Sequence, residues 1–214
     1  INHSWIFQLR KKWNLDREDL KFSKSILLTK RQEEILIGHI LGDGHLRNNW
    51  TNVSGKIEQG YKQKEYSEWK YNELKNLCSD FKYYKRKTID NRTGLYYESY
   101  GATILANPEL NKYYNLFYRN NIKYISKEIM DLFTPLSLSV MFMDDGTKTD
   151  CGYKLCTQCF SLQDLDLLVC KLLAMKISST IYKDKTIYIP SSSKDLFTQL
   201  IKPYIIPSML YKLH

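Results

Sequence analysis

The chain has 214 residues, with 32 Lys and Arg against 23 Asp and Glu, for a formal charge of +9. At 43% hydrophobic with 17 Tyr, 8 Phe and 4 Trp, it has the length and the apolar content to bury a core, which excludes a disordered tail. No apolar run approaches the ~18–20 residues of a membrane span, and the opening INHSWIFQLRKKW lacks the apolar core and small-residue cleavage site of a secretory signal. The missing initiator Met predicts a processed product or a fragment.

Basic charge with abundant aromatics points to a polyanionic partner, because phosphates attract Lys and Arg while bases stack on rings. The charge is uneven: residues 1–126 carry 22 basic and 14 acidic side chains, residues 127–214 carry 10 and 9. Ile, Lys, Asn and Tyr make up about a third of the chain, and Lys outnumbers Arg 25 to 7. Their AT-rich codons suggest an organellar gene, mitochondrial rather than chloroplast. The five cysteines, Cys78, Cys151, Cys156, Cys159 and Cys170, are odd in number and irregularly spaced, which predicts free thiols in a reducing compartment. Cys156 and Cys159 form a lone CxxC with no second pair, so a zinc site is not expected.

In chain order, residues 1–30 form a basic N-terminal extension in which Trp5, Phe7, Leu9 and Trp13 could staple onto the body. Thr29 is an N-cap candidate before the apolar stripe of KRQEEILIGHILG, and Gly42-Asp43-Gly44 ends that helix. Strand-like HLRNNW and GKIEQGYK follow around an Asn52–Gly55 turn region. KEYSEWKYNELKNLC reads as an amphipathic helix; KYYKRKTI and GLYYESYGA form a hairpin across Asp90–Gly94; Pro108 opens the helix ELNKYYNLFYR. The second half repeats the order. Pro135 opens LSLSVMFMDDG, strands TKTD and YKLCTQC follow, Ser161 caps SLQDLDLLVCKLLAMK, a hairpin turns about Lys183–Lys185, and a last helix runs to Pro203.

The duplication is the main organisational feature. LIGHILGDG (Leu36–Gly44) aligns with LSVMFMDDG (Leu138–Gly146), placing Asp43 and Asp145 102 positions apart. Gly38 and Gly42 share a helix face and permit close helix approach, whereas the second copy offers only Ser139 as a small residue. Packed side by side, the two helices would bring both carboxylates to one place. Close carboxylates repel and recruit hard divalent cations, a combination suited to phosphodiester hydrolysis.

These segments resemble those of the LAGLIDADG homing endonucleases, specifically the monomeric two-motif members encoded in group I introns. The resemblance covers roughly residues 31–213, through ILGD (Ile40–Asp43), TPLSL (Thr134–Leu138), FMDDG (Phe142–Gly146) and the tail LIKPYIIPSMLYKL (Leu200–Leu213). It implies a mixed α/β (α+β) fold of two pseudo-symmetric αββαββα half-domains, here residues 31–126 and 127–214, with saddle-shaped antiparallel sheets and the motif helices at the interface. It implies cleavage of double-stranded DNA across the minor groove with 3′ overhangs. It also implies Mg²⁺ as cofactor (with Ca²⁺ or Mn²⁺ able to substitute), held by Asp43 and Asp145, with the carbonyls of Gly42 and Asp144 facing the metals. Lys123 and Lys212 match the basic positions beside the scissile phosphates. His39 reads as a packing residue and His45 as a possible phosphate contact.

Base readout falls to the strands: Arg47, Asn48, Lys56, Glu58 and Gln59 in the first hairpin; Lys85, Arg86, Lys87, Tyr97 and Ser99 in the second; Lys148, Lys154, Gln158, Lys183 and Lys185 in the other half. Alternation allows only every second strand residue to face DNA. Two further readings are an RNA-binding intron maturase on the same fold and a catalytically dead DNA-binding protein.

Overall fold

A computed structural model of the chain describes residues 25–49, 52–89 and 94–214. The expected stapling of Trp5, Phe7, Leu9 and Trp13 falls outside the described residues.

The first helix, α1 (Lys30–Leu41), starts where the sequence places it. Thr29 accepts from the Gln32 amide at 3.2 Å and Gln32 Oε1 accepts from the Thr29 amide at 3.1 Å, a closed capping box. Its second turn onward is buried all round, with Ile35, Leu36, Ile37, Ile40 and Leu41 at 0–1% exposure. Such a helix belongs between layers rather than on one. Strands β1 (His45–Asn48) and β2 (Val53–Gly60) follow, then α2 (Lys64–Glu73), β3 (Lys82–Ile89) and β4 (Tyr96–Asn107), forming an antiparallel sheet in the order β1-β2-β4-β3. β2 begins inside the stretch expected to turn, because Val53 continues the buried parity of Ile57.

Helix α3 (Leu110–Phe117) stops earlier than its apolar pattern suggests. Tyr118–Arg119 (β5) instead pairs with Ile122–Lys123 (β6) across Asn120 and Asn121, whose φ angles are +50° and +63°. That pair of left-handed residues is the turn a two-residue hairpin requires, and Asn tolerates it best after Gly. A short helix absent from the sequence reading, α4 (Lys127–Leu132), is capped by Ser126, whose Oγ accepts from the Ile129 amide.

The second motif helix, α5 (Pro135–Asp145), has Thr134 as N-cap and Pro at its first position. After it come β7 (Gly146–Lys148), β8 (Tyr153–Leu155), α6 (Leu162–Ala174), β9 (Thr180–Ile181), β10 (Ile187–Ile189) and α7 (Ser191–Ile201). Their sheet runs β7-β8-β10-β9, the order of the first sheet with each strand replaced by its counterpart. Short 3₁₀ turns at Lys202–Tyr204 and Pro207–Lys212 return the tail to the motif helices. Among the described residues no helix is long and apolar enough to cross a membrane, and all five cysteines are unpaired.

α1 and α5 pack directly on each other. A Cβ at Gly38 would overlap the Ser137 carbonyl oxygen and lie 2.8 Å from Val140 Cβ; a Cβ at Gly42 would lie 2.5 Å from Asp144 Cβ. Ser137 Oγ crosses the seam to donate to Glu34 O at 2.9 Å. The expectation that Ser139 is the matching small residue needs correction. Ser139 faces the other way and donates to Ile201 O at 2.9 Å, so Ser137 and Val140 are what meet Gly38.

Gly38→Ala would gain helix propensity, yet overpacking against rigid backbone outweighs that gain. We expect a loss of about 1–3 kcal/mol in denaturant midpoint analysis, while Gly60→Ala, with nothing within 4 Å of its new methyl, stays within about 0.5 kcal/mol of the parent.

Candidate active site and nucleic-acid interface

The C-terminal ends of α1 and α5 carry the three carboxylates of the site. Asp43 is exposed on the turn after α1, Asp145 ends α5 half-buried, and the Asp144 side chain is wholly buried. Gln59 Nε2 lies 3.1 Å from both Asp43 Oδ2 and Asp144 Oδ1, which brings the two motif ends together. Burial, Asp43 and Asp144 together raise Asp145 from 3.8 to about 7, against the opposing pull of Lys123 and Lys212.

Two lysines close over the helix ends in matching ways. Lys123 Nζ donates to the carbonyls of Ile40 (2.8 Å), Gly42 (3.4 Å) and Gly44 (2.9 Å). Lys212 Nζ donates to those of Phe142 (3.4 Å), Met143 (2.6 Å) and Asp144 (3.2 Å). Each ammonium thereby satisfies orphan carbonyls at a helix C-terminus and sits at the negative end of its dipole. Burial lowers both lysine pKa values, and the three nearby aspartates work against that. The Asn-Asn hairpin delivers Lys123 and the last 3₁₀ turn delivers Lys212.

Asp144 is engaged across the helix seam, by side chains of the first half. Lys70 Nζ, on α2, donates to Asp144 Oδ1 at 2.9 Å, and His39 Nδ1 lies 3.1 Å from Oδ2. Burial alone would raise this carboxyl, but Lys70 and His39 outweigh it and hold the value down at about 2. His39 Nε2 donates to Lys56 O at 3.0 Å, since a carbonyl can only accept. His39 is thus the satisfied packing residue the sequence suggests. The Asp144 carboxylate is taken up by these partners, and its carbonyl faces Lys212 rather than open space.

Two expected base readers are corrected. Gln59 is only 4% exposed. It shares the inward parity of Val53 and Ile57 on β2, and its Nε2 donates to Asp43 Oδ2 and Asp144 Oδ1, both at 3.1 Å. Ser99 is 1% exposed and donates to Glu58, which covers it. Both donate instead to carboxylates of the chain itself. Alternation could have placed Gln59, because Glu58 and Gln59 cannot both face outward.

The outward face of the first sheet carries His45, Arg47, Ser54, Lys56 and Thr103, which line one depression; the pairs His45↔Lys56 and Lys56↔Thr103 align them across three strands. Lys56 pairs with Glu58 and stands 4.7 Å over the Tyr84 ring. Asn48 and Tyr97 are exposed, and Lys85 is exposed and paired with Glu98 at 3.0 Å. Arg86 and Lys87 belong to β3, but their side chains lie outside the described residues. In the second half Lys148, Gln158, Lys183 and Lys185 are exposed, Lys154 pairs with Asp184 at 3.2 Å, and Lys183 and Lys185 occupy the turn joining β9 to β10. Burial, Lys123 and Arg47 lower the pKa of His45.

Residues 33–197 match the LAGLIDADG DNA endonuclease family. The chain belongs to that family. A probable intron-encoded endonuclease of Wickerhamomyces canadensis is 32% identical over 87% of this chain and 85% of its own length. The cytochrome b mRNA maturase bI2 of Saccharomyces cerevisiae is 33% identical over 84% of this chain, which spans only 46% of that relative. The solved homing endonuclease I-WcaI, bound to its DNA recognition sequence, superposes with a TM-score of 0.79 at 29% identity, covering 96% of this chain and 97% of that one. The fold is that of a LAGLIDADG homing endonuclease.

The raised Asp145 value has a direct consequence for stability. The group keeps its proton up to about pH 7 when folded but loses it near 3.8 when unfolded, so its stabilising contribution is full below pH 4 and is lost as pH rises through 7. In metal-free buffer Asp145→Asn should melt above the parent at pH 8, with the gap closing toward pH 4; thermal melts across that range check it.

Proposed function

We propose that this chain is a site-specific double-strand DNA endonuclease of the intron-homing kind, hydrolysing one phosphodiester on each strand across the minor groove of a long asymmetric target and leaving 3′ overhangs. The observation carrying this reading is the meeting of the two motif ends, where Gln59 Nε2 lies 3.1 Å from both Asp43 and Asp144, at the seam between two sheets of like topology. The homing endonuclease that superposes on the whole chain is itself bound to DNA.

The donor set suits Mg²⁺. Asp43 and Asp145 offer hard oxygens, and Asp145 is half-buried beside the like charges of Asp43 and Asp144. Among the described residues no three His, Cys, Asp or Glu side chains form a complete cage. Mg²⁺ binds through one or two carboxylates and keeps water and substrate phosphate as its other ligands. When bound, such a cation lowers the pKa of the attacking water and neutralises charge on phosphorus and on the leaving oxygen. The chain's own part is to hold the cations through Asp43 and Asp145, while Lys123 and Lys212, their hydrogens given to helix-end carbonyls, act on the pentacovalent phosphates as fixed positive charges. The helix-end carbonyls of Gly42 and Asp144 fix both ammoniums in place. The outward strand residues, Arg47 and Lys56 foremost, supply phosphate and guanine contacts.

A second reading, intron RNA maturation on the same fold, is favoured by the relative named as a cytochrome b mRNA maturase. We also infer expression in a mitochondrion, from that relative and the AT-rich codon bias, and action as a monomer, since both motif helices come from one chain.

A randomised-site plasmid library incubated with MgCl₂ should yield a discrete cleaved sequence, and a protein that merely binds DNA would release no product. On that sequence, Asp43→Asn and Asp145→Asn should each abolish double-strand cleavage and leave affinity within several-fold. Full cleavage by either variant overturns the assignment. Log affinity should fall linearly with log salt concentration. Intron splicing that persists in both Asn variants would place maturation on a separate surface.

A further inference from the structure

The two motif copies are not equivalent, and the difference is concentrated in one buried polar bridge. Asp144 stands where the first copy has Gly42, and the two positions face each other so closely that a second Cβ would lie 2.5 Å from the first. Only one of them can carry a side chain. The space left by Gly42 is filled by the Asp144 carboxylate, anchored by Lys70 at 2.9 Å and His39 at 3.1 Å. Lys70 is itself fully buried and stacks 4.4 Å over the Tyr66 ring.

From this anchor Gln59 spans to Asp43. Both of its near partners, Asp43 Oδ2 and Asp144 Oδ1, are acceptors, so the Gln59 amide must present its NH₂ group with one hydrogen for each. The other half has no such bridge. His45↔Lys56 and Thr147↔Lys154 are corresponding pairs, each beginning two residues after its motif aspartate. Counting from them, the counterpart of Gln59 is Thr157, whose hydroxyl donates to Lys185 O at 2.7 Å. The counterpart of His39 is the apolar, buried Met141. Among the described residues no side chain hydrogen-bonds to the Asp145 carboxylate; it meets Lys123 and Lys212 only as neighbouring charges.

We propose that Asp144 is a positioning residue that acts through Gln59 to fix the Asp43 carboxylate while Asp145 is left unheld, so that the two strands of a duplex are cut at unequal rates. The proposal rests on the endonuclease reading for its consequence and on the bridge itself for its cause, and the two are tested separately.

The cause is read on the metal-free, DNA-free protein. With ¹⁵N-labelled Gln, the Gln59 side-chain NH₂ signals, assigned by their absence in Gln59→Leu, should be shifted and slow to exchange. In the charge-balanced double variant Asp144→Ala/Lys70→Met, which removes the acceptor, they should move to free-amide positions and exchange at least tenfold faster. Unchanged signals overturn the bridge. The consequence is read on a duplex carrying the library-selected site, each strand end-labelled separately. Gln59→Leu leaves the buried ion pair intact, so it retains the fold. It should slow the strand served by Asp43 by 10–100-fold, the usual cost of losing a partner that orients a metal-binding group, and the other strand by less than threefold. The Asp144→Ala/Lys70→Met pair should reproduce that strand bias and add nothing to it in the Gln59→Leu background. Equal slowing of both strands, or an additive effect of the pair, overturns the proposal. If the parent protein cuts neither strand, the endonuclease reading falls, and the amide signals still decide whether Asp144 holds Gln59.

Discussion

The contact on which everything else depends is the one between α1 and α5. Helices usually pack with axes 8–10 Å apart, but here Gly38 lets one backbone meet the carbonyl of Ser137. That approach sets where the helices end, and the helix ends carry Asp43, Asp144 and Asp145. A wider seam would separate the carboxylates and remove the repulsion that makes them a cation site. Apolar burial at Ile35–Leu41 and Leu138–Met143, worth roughly 1.5–3 kcal/mol for each large side chain, supplies the free energy that forces like charges together.

The charge count at the site is formally even, with three aspartates against Lys70, Lys123 and Lys212, yet it does not neutralise. Lys70 is committed to Asp144 at 2.9 Å. Lys123 and Lys212 direct their hydrogens at helix-end carbonyls rather than at carboxylates. Asp145 is therefore left proton-hungry while Asp144, one residue away, is held ionised. Adjacent residues of one type have opposite fates because a helix turns about 100° per residue. Asp144 points into the seam and Asp145 toward the open end.

Much of this was legible in the sequence. Thr29 and Ser161 announce themselves as N-caps, and both close capping boxes in the structure. The duplicated Asp-Gly helix ends give the pseudo-symmetry, because an apolar helix followed by Asp-Gly leaves few alternatives. Other features are legible but masked by a stronger pattern. Asn120-Asn121 is a hairpin turn signal hidden by the apolar pattern of Leu110–Phe117, which runs on into Tyr118. Gln59 follows a clear inward alternation. Lys70 was not readable at all. On a helix of mixed polarity it looks like any solvated lysine, and only the packing of α2 under the seam buries it. Long-range polar partners, 74 residues apart for Lys70 and Asp144, leave no local pattern.

The two halves have diverged where the helix seam does not constrain them. In the first sheet β3 and β4 run 8 and 12 residues, whereas β9 and β10 run 2 and 3. The imbalance of charge follows the imbalance of strand length, since outward strand positions are where a basic side chain costs the core nothing. Inside the seam the opposite holds. Exchanging Gly42 for a larger residue is forbidden by Asp144, and losing Asp144 would strand the Lys70 ammonium in a dry site, which typically costs 3–5 kcal/mol. Each asymmetric feature there requires the other, so the duplicated motif is held in two unequal halves by packing and charge together.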